Sequence, residues 1–264
     1  MIDALYHPIA RTITDVLAGE EHAAELFLID DEENILMAVR HGVQLECVVH
    51  TGSEGQGLSQ ELQEALGESA VPVHEMAVHV AKKLFGREKR TRLFALARKP
   101  DPAALADLAG AQGDIVVLDG VKLAGNIGAI SRTACALGAA GLVLVESGLQ
   151  SVLDRRLVRA SRGTVFALPM VLAERSAVLS FLAEHHVVVA GLDAGSTRTI
   201  SEIAAVPGQL AIVMGSERRG PSKEFEEVTE NWFSIPMNPA VESLNVSVAA
   251  GIALYLHSSG GAGR

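Results

Sequence analysis

Five short, largely apolar runs constrain the fold of this 264-residue chain more than any other feature: Ile115–Leu118, Leu142–Val145, Val187–Ala190, Ala211–Met214 and Trp232–Ile235. Each has the length of a strand, and most are built from leucine or β-branched residues, the pattern of strands covered on both faces in a parallel sheet. The segments between them are long enough for crossover helices, which predicts an α/β unit over the last 150 residues or so. With 48% hydrophobic residues the chain can build a substantial core, and its length suits two domains better than one. No internal repeat is present.

The division is expected near residue 100. Ala97-Arg98-Lys99-Pro100-Asp101-Pro102-Ala103 sets two prolines among charged residues, a composition that resists helix and strand interiors and reads as a linker. The expected layout is a first domain over 1–98, a linker over 99–111 and a second domain over 112–264. Apolar periodicity in the first domain predicts helices at Ile9–Leu17 and Leu58–Leu66. Strands are predicted at Leu45–Val49, Val71–Val73 and Leu93–Ala97, giving a small α/β domain.

The apolar runs are too short, and too close to charges, to cross a bilayer. Met1–Pro8 lacks a basic start followed by an apolar stretch, so a soluble cytoplasmic protein is expected, with no membrane partner. Cys47 and Cys135 are the only cysteines and lack the paired spacing of a zinc site. Both read as small core residues, and no metal is expected.

The formal net charge of -10 argues by itself against a polyanionic partner. Its distribution reverses that impression. Between Lys82 and Lys99 lie eight of the 22 basic residues, including Arg87, Lys89, Arg90 and Arg92, with Glu88 the only acid. Charges beyond about 8–10 Å are screened at physiological salt, so a local patch can bind phosphate on an acidic protein. A solvated helix end and loop has the same composition.

Three polar motifs interrupt the second half where strand-like runs give way to helix-like ones, the usual place of ligand sites in α/β proteins. The first, Gly125-Asn126-Ile127-Gly128-Ala129-Ile130-Ser131-Arg132-Thr133, opens a helix whose Ile127, Ile130, Ala134 and Leu137 share one stripe. Arg132 falls about 180° from that stripe at 100° per residue, so it faces solvent, a ligand or another subunit. Asn126 is suited to cap this helix. The Gly-x-Gly-x-x-Gly fingerprint of a dinucleotide oxidoreductase is absent.

The second motif, Gly215-Ser216-Glu217-Arg218-Arg219-Gly220, ends a strand and precedes Pro221, a residue suited to the first helical position. Its glycines allow a tight bend against a ligand, with Glu217 exposed between them. The third, Ser243-Leu244-Asn245-Val246-Ser247, starts the closing helix, where Ser243 or Asn245 can cap while Val246, Ala249 and Ala253 pack inward. Each block alone is explained by a turn or a cap. Together their amide, carboxylate, guanidinium and hydroxyl groups can form one site.

In order and spacing, these blocks resemble the three motifs of the SpoU branch of the SPOUT RNA methyltransferases over residues 112–258. Val117-Leu118-Asp119-Gly120-Val121-Lys122, Asp154-Arg155-Arg156-Leu157, Arg159-Ala160-Ser161-Arg162-Gly163 and Glu242-Ser243-Leu244-Asn245 are similar, more narrowly, to the thiostrepton and nosiheptide resistance methyltransferases of actinomycetes. In that group the amino-terminal domain resembles a ribosomal L30-type RNA-binding fold, and its basic segment is similar to Leu84-Phe85-Gly86-Arg87-Glu88-Lys89-Arg90.

The resemblance implies methyl transfer from S-adenosylmethionine to a ribose 2′-hydroxyl of large-subunit 23S ribosomal RNA, at an adenosine where methylation confers thiopeptide resistance. It also implies a homodimer with a joint active site, and a carboxyl-terminal trefoil knot, a threading that periodicity does not predict. Leu192, Asp193, Met214, Gly215, Glu217, Ile235, Met237, Ser243, Leu244 and Val246 are the implied cofactor residues. Arg132 is the implied catalytic contact to the 2′-hydroxyl, oriented by Asn126, Glu217 and Asn245. Arg87, Lys89, Arg90, Arg92 and Arg162 are the expected RNA contacts. A transfer-RNA ribose methyltransferase of the same superfamily and a non-catalytic RNA-binding dimer stand as alternatives.

Overall fold

The computed structural model describes residues 1–52, 58–67, 70–86, 92–216 and 219–261. The chain forms two compact units, Met1–Asp101 and Pro102–Arg264.

The first unit carries helices α1 (Pro8–Ala18), α2 (Glu32–Arg40), α3 (Gln60–Gly67) and α4 (Val78–Phe85). Its four-stranded sheet uses β1 (Leu26–Asp30), β2 (Leu45–His50), β3 (Val73–Glu75) and β4 (Leu93–Arg98) in the order β1-β4-β2-β3. β4 is antiparallel to both β1 and β2, while β3 runs parallel to β2. Pro8 begins α1 with the fixed φ that a first turn requires. Ile13, Leu28, Val49, Met76, Phe85 and Phe94 meet in the core. Cys47 is buried there and its thiol is pushed up to about 11, first by desolvation. It is therefore an inert core residue at neutral pH. Cys135, in the second unit, is only half-buried.

The second unit alternates β5 (Ile115–Asp119), α5 (Ala124–Ala136), β6 (Gly141–Val145), α6 (Arg155–Ala160), β7 (Met170–Leu172), α7 (Arg175–Glu184) and β8 (Val188–Leu192). It continues through β9 (Leu210–Gly215), α8 (Lys223–Val228), β10 (Asn231–Phe233) and α9 (Val246–Gly261). Every pairing in its sheet is parallel, in the order β10-β8-β9-β5-β6-β7. All residues of β5 and β6 are buried, which is why these strands read as unbroken apolar runs. The chain builds outward from β5 through β6 to β7, then returns to the other side of β5. The resulting switch point opens a crevice beyond the carboxyl ends of β5 and β9, where open α/β sheets bind ligands.

Several local expectations are corrected. Of the segment read as a linker over 99–111, Leu108 is fully buried and Ala103, Leu105, Ala109 and Ala111 pack against the core of the second unit. Pro221 does not open α8: Ser222 is its N-cap, held by its amide on the carboxylate of Asp119 at 2.7 Å. In α9 it is Ala250, with Val246, Ala253 and Leu254, that is buried.

The far end of α9 is fastened below the sheet. Nδ1 of His257 lies 2.6 Å from Asp114 Oδ2, and Nε2 lies 3.0 Å from the carbonyl oxygen of Val206. Asp114 Oδ1 accepts the Leu210 amide at 3.0 Å, tying β9 to the same carboxylate. Two acceptors favour a ring that carries hydrogen on both nitrogens. The hydrogen bond to Asp114 holds the His257 pKa above its ordinary value, against the opposing effect of desolvation. The folded pKa is raised, so this stabilisation is complete below the unfolded value of about 6.5 and is lost as pH climbs through the folded one. Melting temperature should fall with rising pH across that window in the native protein and follow a flatter course in His257→Gln. Parallel curves would exclude the latch as the source.

Candidate active site

α5 opens the site. Leu123 is its N-cap and Asn126 lies inside the first turn, so the expected capping role of Asn126 is not seen. Its Oδ1 instead accepts a hydrogen bond from Asn245 Nδ2 at 3.3 Å, joining residues 119 positions apart. Asn245 caps α9, its Oδ1 accepting from the Ser247 amide at 2.8 Å and from the Ser247 hydroxyl at 2.6 Å. One side chain thus sets the entry of α9 and docks it on α5.

Ile127, Ile130 and Ala134 of α5 are fully buried, whereas Arg132 is exposed and its guanidinium has no hydrogen bond or ion pair among the described residues. Gly128 faces α6: a Cβ there would lie 2.5 Å from the Ala160 carbonyl carbon and 2.7 Å from the Ser161 amide. Only glycine permits this approach. The contact brings the arginine-bearing helix, begun by the Asp154 cap on Arg156, against the helix of Arg132. Arg156 holds the Asp154 carboxyl below its ordinary pKa, chiefly by a side-chain hydrogen bond. Arg162 is exposed just beyond α6, with φ of 51°.

At the end of β9, Ser216 and Gly220 exchange backbone hydrogen bonds of 3.1 and 2.9 Å. A Cβ on Gly215 would lie 1.9 Å from the Gly220 carbonyl carbon, so the turn closes only over glycine. Asp119, at the end of β5, anchors the far side of this turn. Its carboxylate accepts from Arg175 at 3.0 Å and from the Ser222 amide, and it is almost wholly buried. Burial works against the Arg175 charge, but Asp119, Glu146 and Glu224 hold its pKa above the ordinary value.

A cavity lies between the loops after β8, β9 and β10 and the start of α9. It brings together Leu192, Asp193, Met214 and Gly215 with Ile235, Met237, Ser243, Leu244 and Val246. Val213, Phe233 and Ala249 extend its apolar wall, and Ser216 and Glu242 add polar groups. Glu242 stands in the block Glu242-Ser243-Leu244-Asn245 but is not among the expected cofactor residues, because a single acid beside a capping serine does not by itself mark a ligand contact. The apolar walls suit a purine, and the hydroxyls and carboxylates suit a ribose and an amino-acid end, so the donor set fits a nucleoside-type cofactor.

Glu217, Arg87, Lys89 and Arg90 lie outside the described residues. Arg92 is exposed before β4, and its carbonyl accepts the Thr51 amide at 2.7 Å. Among the described residues, no group of three or more histidine, cysteine, aspartate or glutamate side chains is arranged to hold a metal ion, and no helix is long and apolar enough to cross a membrane.

Residues 114–255 match the SpoU rRNA methylase family, and residues 1–111 match the thiostrepton-resistance methylase N terminus. The chain is 43% identical over 248 residues to the 23S rRNA (adenosine(1067)-2′-O)-methyltransferase of Streptomyces laurentii, covering 94% of this chain and 91% of that one. The protein of the same name from Streptomyces azureus is 41% identical over the same shares. Among solved structures, the SpoU methyltransferase AviRb from Streptomyces viridochromogenes superposes with a TM-score of 0.80 at 25% identity, covering 96% of this chain and 98% of its own.

Gly128→Ala should overpack the α5–α6 contact at a cost of about 1–3 kcal/mol. Thermal unfolding should show it, at roughly 2–4 °C per kcal/mol. An unchanged melting temperature would mean that α6 does not rest on this glycine.

Proposed function

The chain belongs to the SpoU rRNA methylase family, and on that basis we propose that it transfers a methyl group from S-adenosylmethionine to an adenosine 2′-hydroxyl in the thiopeptide-binding loop of large-subunit ribosomal RNA. The product would obstruct the antibiotic and confer resistance. The observation that carries the reading is the Asn126–Asn245 hydrogen bond, which joins the helix of Arg132 to the residues that line the cofactor cavity. The match of the first unit to the thiostrepton-resistance N terminus supports ribosomal RNA over transfer RNA. A ribosomal substrate implies a cytoplasmic enzyme.

The bound cofactor supplies an electrophilic methyl group on a sulfonium. The chain's own residues do the rest. Leu192, Ile235, Met237, Leu244 and Val246 hold the adenine side, with Asp193, Ser243 and the backbone of Met214 and Gly215 fixing its polar groups. A guanidinium stays protonated at neutral pH, so Arg132 acts by binding the 2′-hydroxyl and adjacent phosphate and favouring the developing alkoxide. Asn126, Asn245 and Glu217 fix that orientation.

Arg132 points away from its own unit, which fits a homodimer in which it reaches the cavity of a second copy. Exposed Leu123, Val248 and Tyr255 on and beside α5 and α9 supply apolar surface for such a contact. In this reading the stretch from β9 to α9 threads the knot of the family, and the first unit is an L30-like domain that selects the RNA through Arg87, Lys89, Arg90 and Arg92, with Arg162 from the second. Aromatic residues make up only 4% of the chain, so phosphate and shape contacts outweigh base stacking.

Incubating the ribosomal RNA fragment with labelled S-adenosylmethionine and mapping the modified ribose tests the reading. Label is expected in the adenosine of that loop, and label in transfer RNA instead would overturn it. Arg132→Ala should abolish transfer while cofactor affinity by calorimetry stays near that of the native protein. Near-normal turnover would remove Arg132 from the mechanism.

A further inference from the structure

A second cavity, of about 890 Å³, adjoins the cofactor cavity and shares Ser216, Gly220 and Pro221 with it. It is built on the Asp119–Arg175 pair, and its charges divide into two groups. Arg175 is met by Asp119 and Glu146 at 3.0 Å each and by Glu224 at 3.5 Å, so that cation and the two carboxylates beside it in the lining are committed to one another. Lys122, Arg219 and Lys223 are exposed in the same lining and have no ion pair among the described residues. Among the described lining residues, Glu226 is the acid not paired with Arg175. Two donors that border the cavity, Arg175 Nε and Ser222 Oγ, are buried without a hydrogen-bond partner among the described residues.

Among the described lining residues four bases, Lys122, Arg175, Arg219 and Lys223, stand against three acids, Asp119, Glu146 and Glu226. On a protein of net charge -10 the wall is thus locally basic next to the turn that closes the cofactor cavity, and its exposed cations are the three without an ion pair among the described residues. The amino-acid end of a nucleoside cofactor is a zwitterion, whose ammonium would call for an acid to match each base. A polyanion needs no such match. We propose that this second cavity takes a phosphodiester of the RNA strand beside the target ribose, held by Lys122, Arg219 and Lys223. The inference rests on the methyltransferase reading above and adds to it a subsite that orients the strand where the reacting ribose must be aligned.

Lys122 lies between β5 and α5, and Lys223 opens α8, so one phosphate group clamped between them would bridge the loops after two neighbouring strands. The Asp119 carboxylate keeps those loops in register by holding Arg175 and the Ser222 amide at once. The buried pair therefore acts as scaffold, and the exposed cations make the contact.

The test compares full-length native protein, the double variant Lys122→Ala/Lys223→Ala and Glu226→Gln. RNA affinity is measured by fluorescence anisotropy on the ribosomal fragment over a salt series, and S-adenosylmethionine affinity by calorimetry. The slope of log affinity against log salt should fall by about one for each lysine removed. Cofactor affinity should stay unchanged, and Glu226→Gln should bind RNA more tightly than the native protein. An unchanged salt slope in the double variant, with the native protein binding and methylating normally, overturns the subsite and leaves the functional reading standing. Weakened cofactor binding with an unchanged RNA slope overturns it too, assigning the cations to the cofactor's carboxylate. A native protein that binds the cofactor but neither binds nor methylates the fragment overturns the ribosomal reading, and the subsite with it.

Discussion

The closing helix is fastened at both ends, and the site depends on that. At its start Asn245 caps α9 and reaches Asn126 on α5; at its far end His257 bridges Asp114 and Val206. Both anchor points lie at the two ends of the same βα unit, since Asp114 precedes β5 and Asn126 follows it. α9 is therefore spanned across one rigid element of the sheet. Its first turn forms one wall of the cofactor cavity, so a shift of α9 would open the cavity and separate the two asparagines together. Sites held by packed helices and hydrogen-bonded side chains keep the tolerance that methyl transfer needs.

The ends of β5 and β9 carry a second constraint of different character. Asp119 is buried, and Arg175 and a backbone amide satisfy its carboxylate. Removing either partner of such a pair leaves an uncompensated buried charge, which costs several kcal/mol. The consequence is geometric as much as energetic. One carboxylate fixes the helix after β7 and the turn after β9 against the central strand, so the walls of both cavities share a single anchor.

The central strands β5, β6 and β9 were legible because they are buried along nearly their whole length and therefore read as continuous apolar runs. β7, with three residues, and α6, with three arginines in six, carry no such signal and became visible only in place. In the first unit β1 was missed beside the acidic stretch that starts α2. The capping reading of Asn126 failed because a cap is a local possibility, whereas its actual partner lies 119 residues away. Pro221 lost its expected place for a similar reason: Asp119, distant in sequence, takes the amide that defines the cap.

By itself, the amino-acid sequence determined the α/β class, the parallel sheet and the three motifs, because burial and turn chemistry leave their marks on neighbouring residues. It also marked Arg132 as outward-facing, since helical periodicity is a local property. Tertiary structure alone decided the strand order, the partnership of Asn126 with Asn245, the close contact of Gly128 with α6, and the separation of committed from uncommitted charges around Asp119. Those features depend on which residues meet across long stretches of chain, and no local pattern of side chains encodes that meeting.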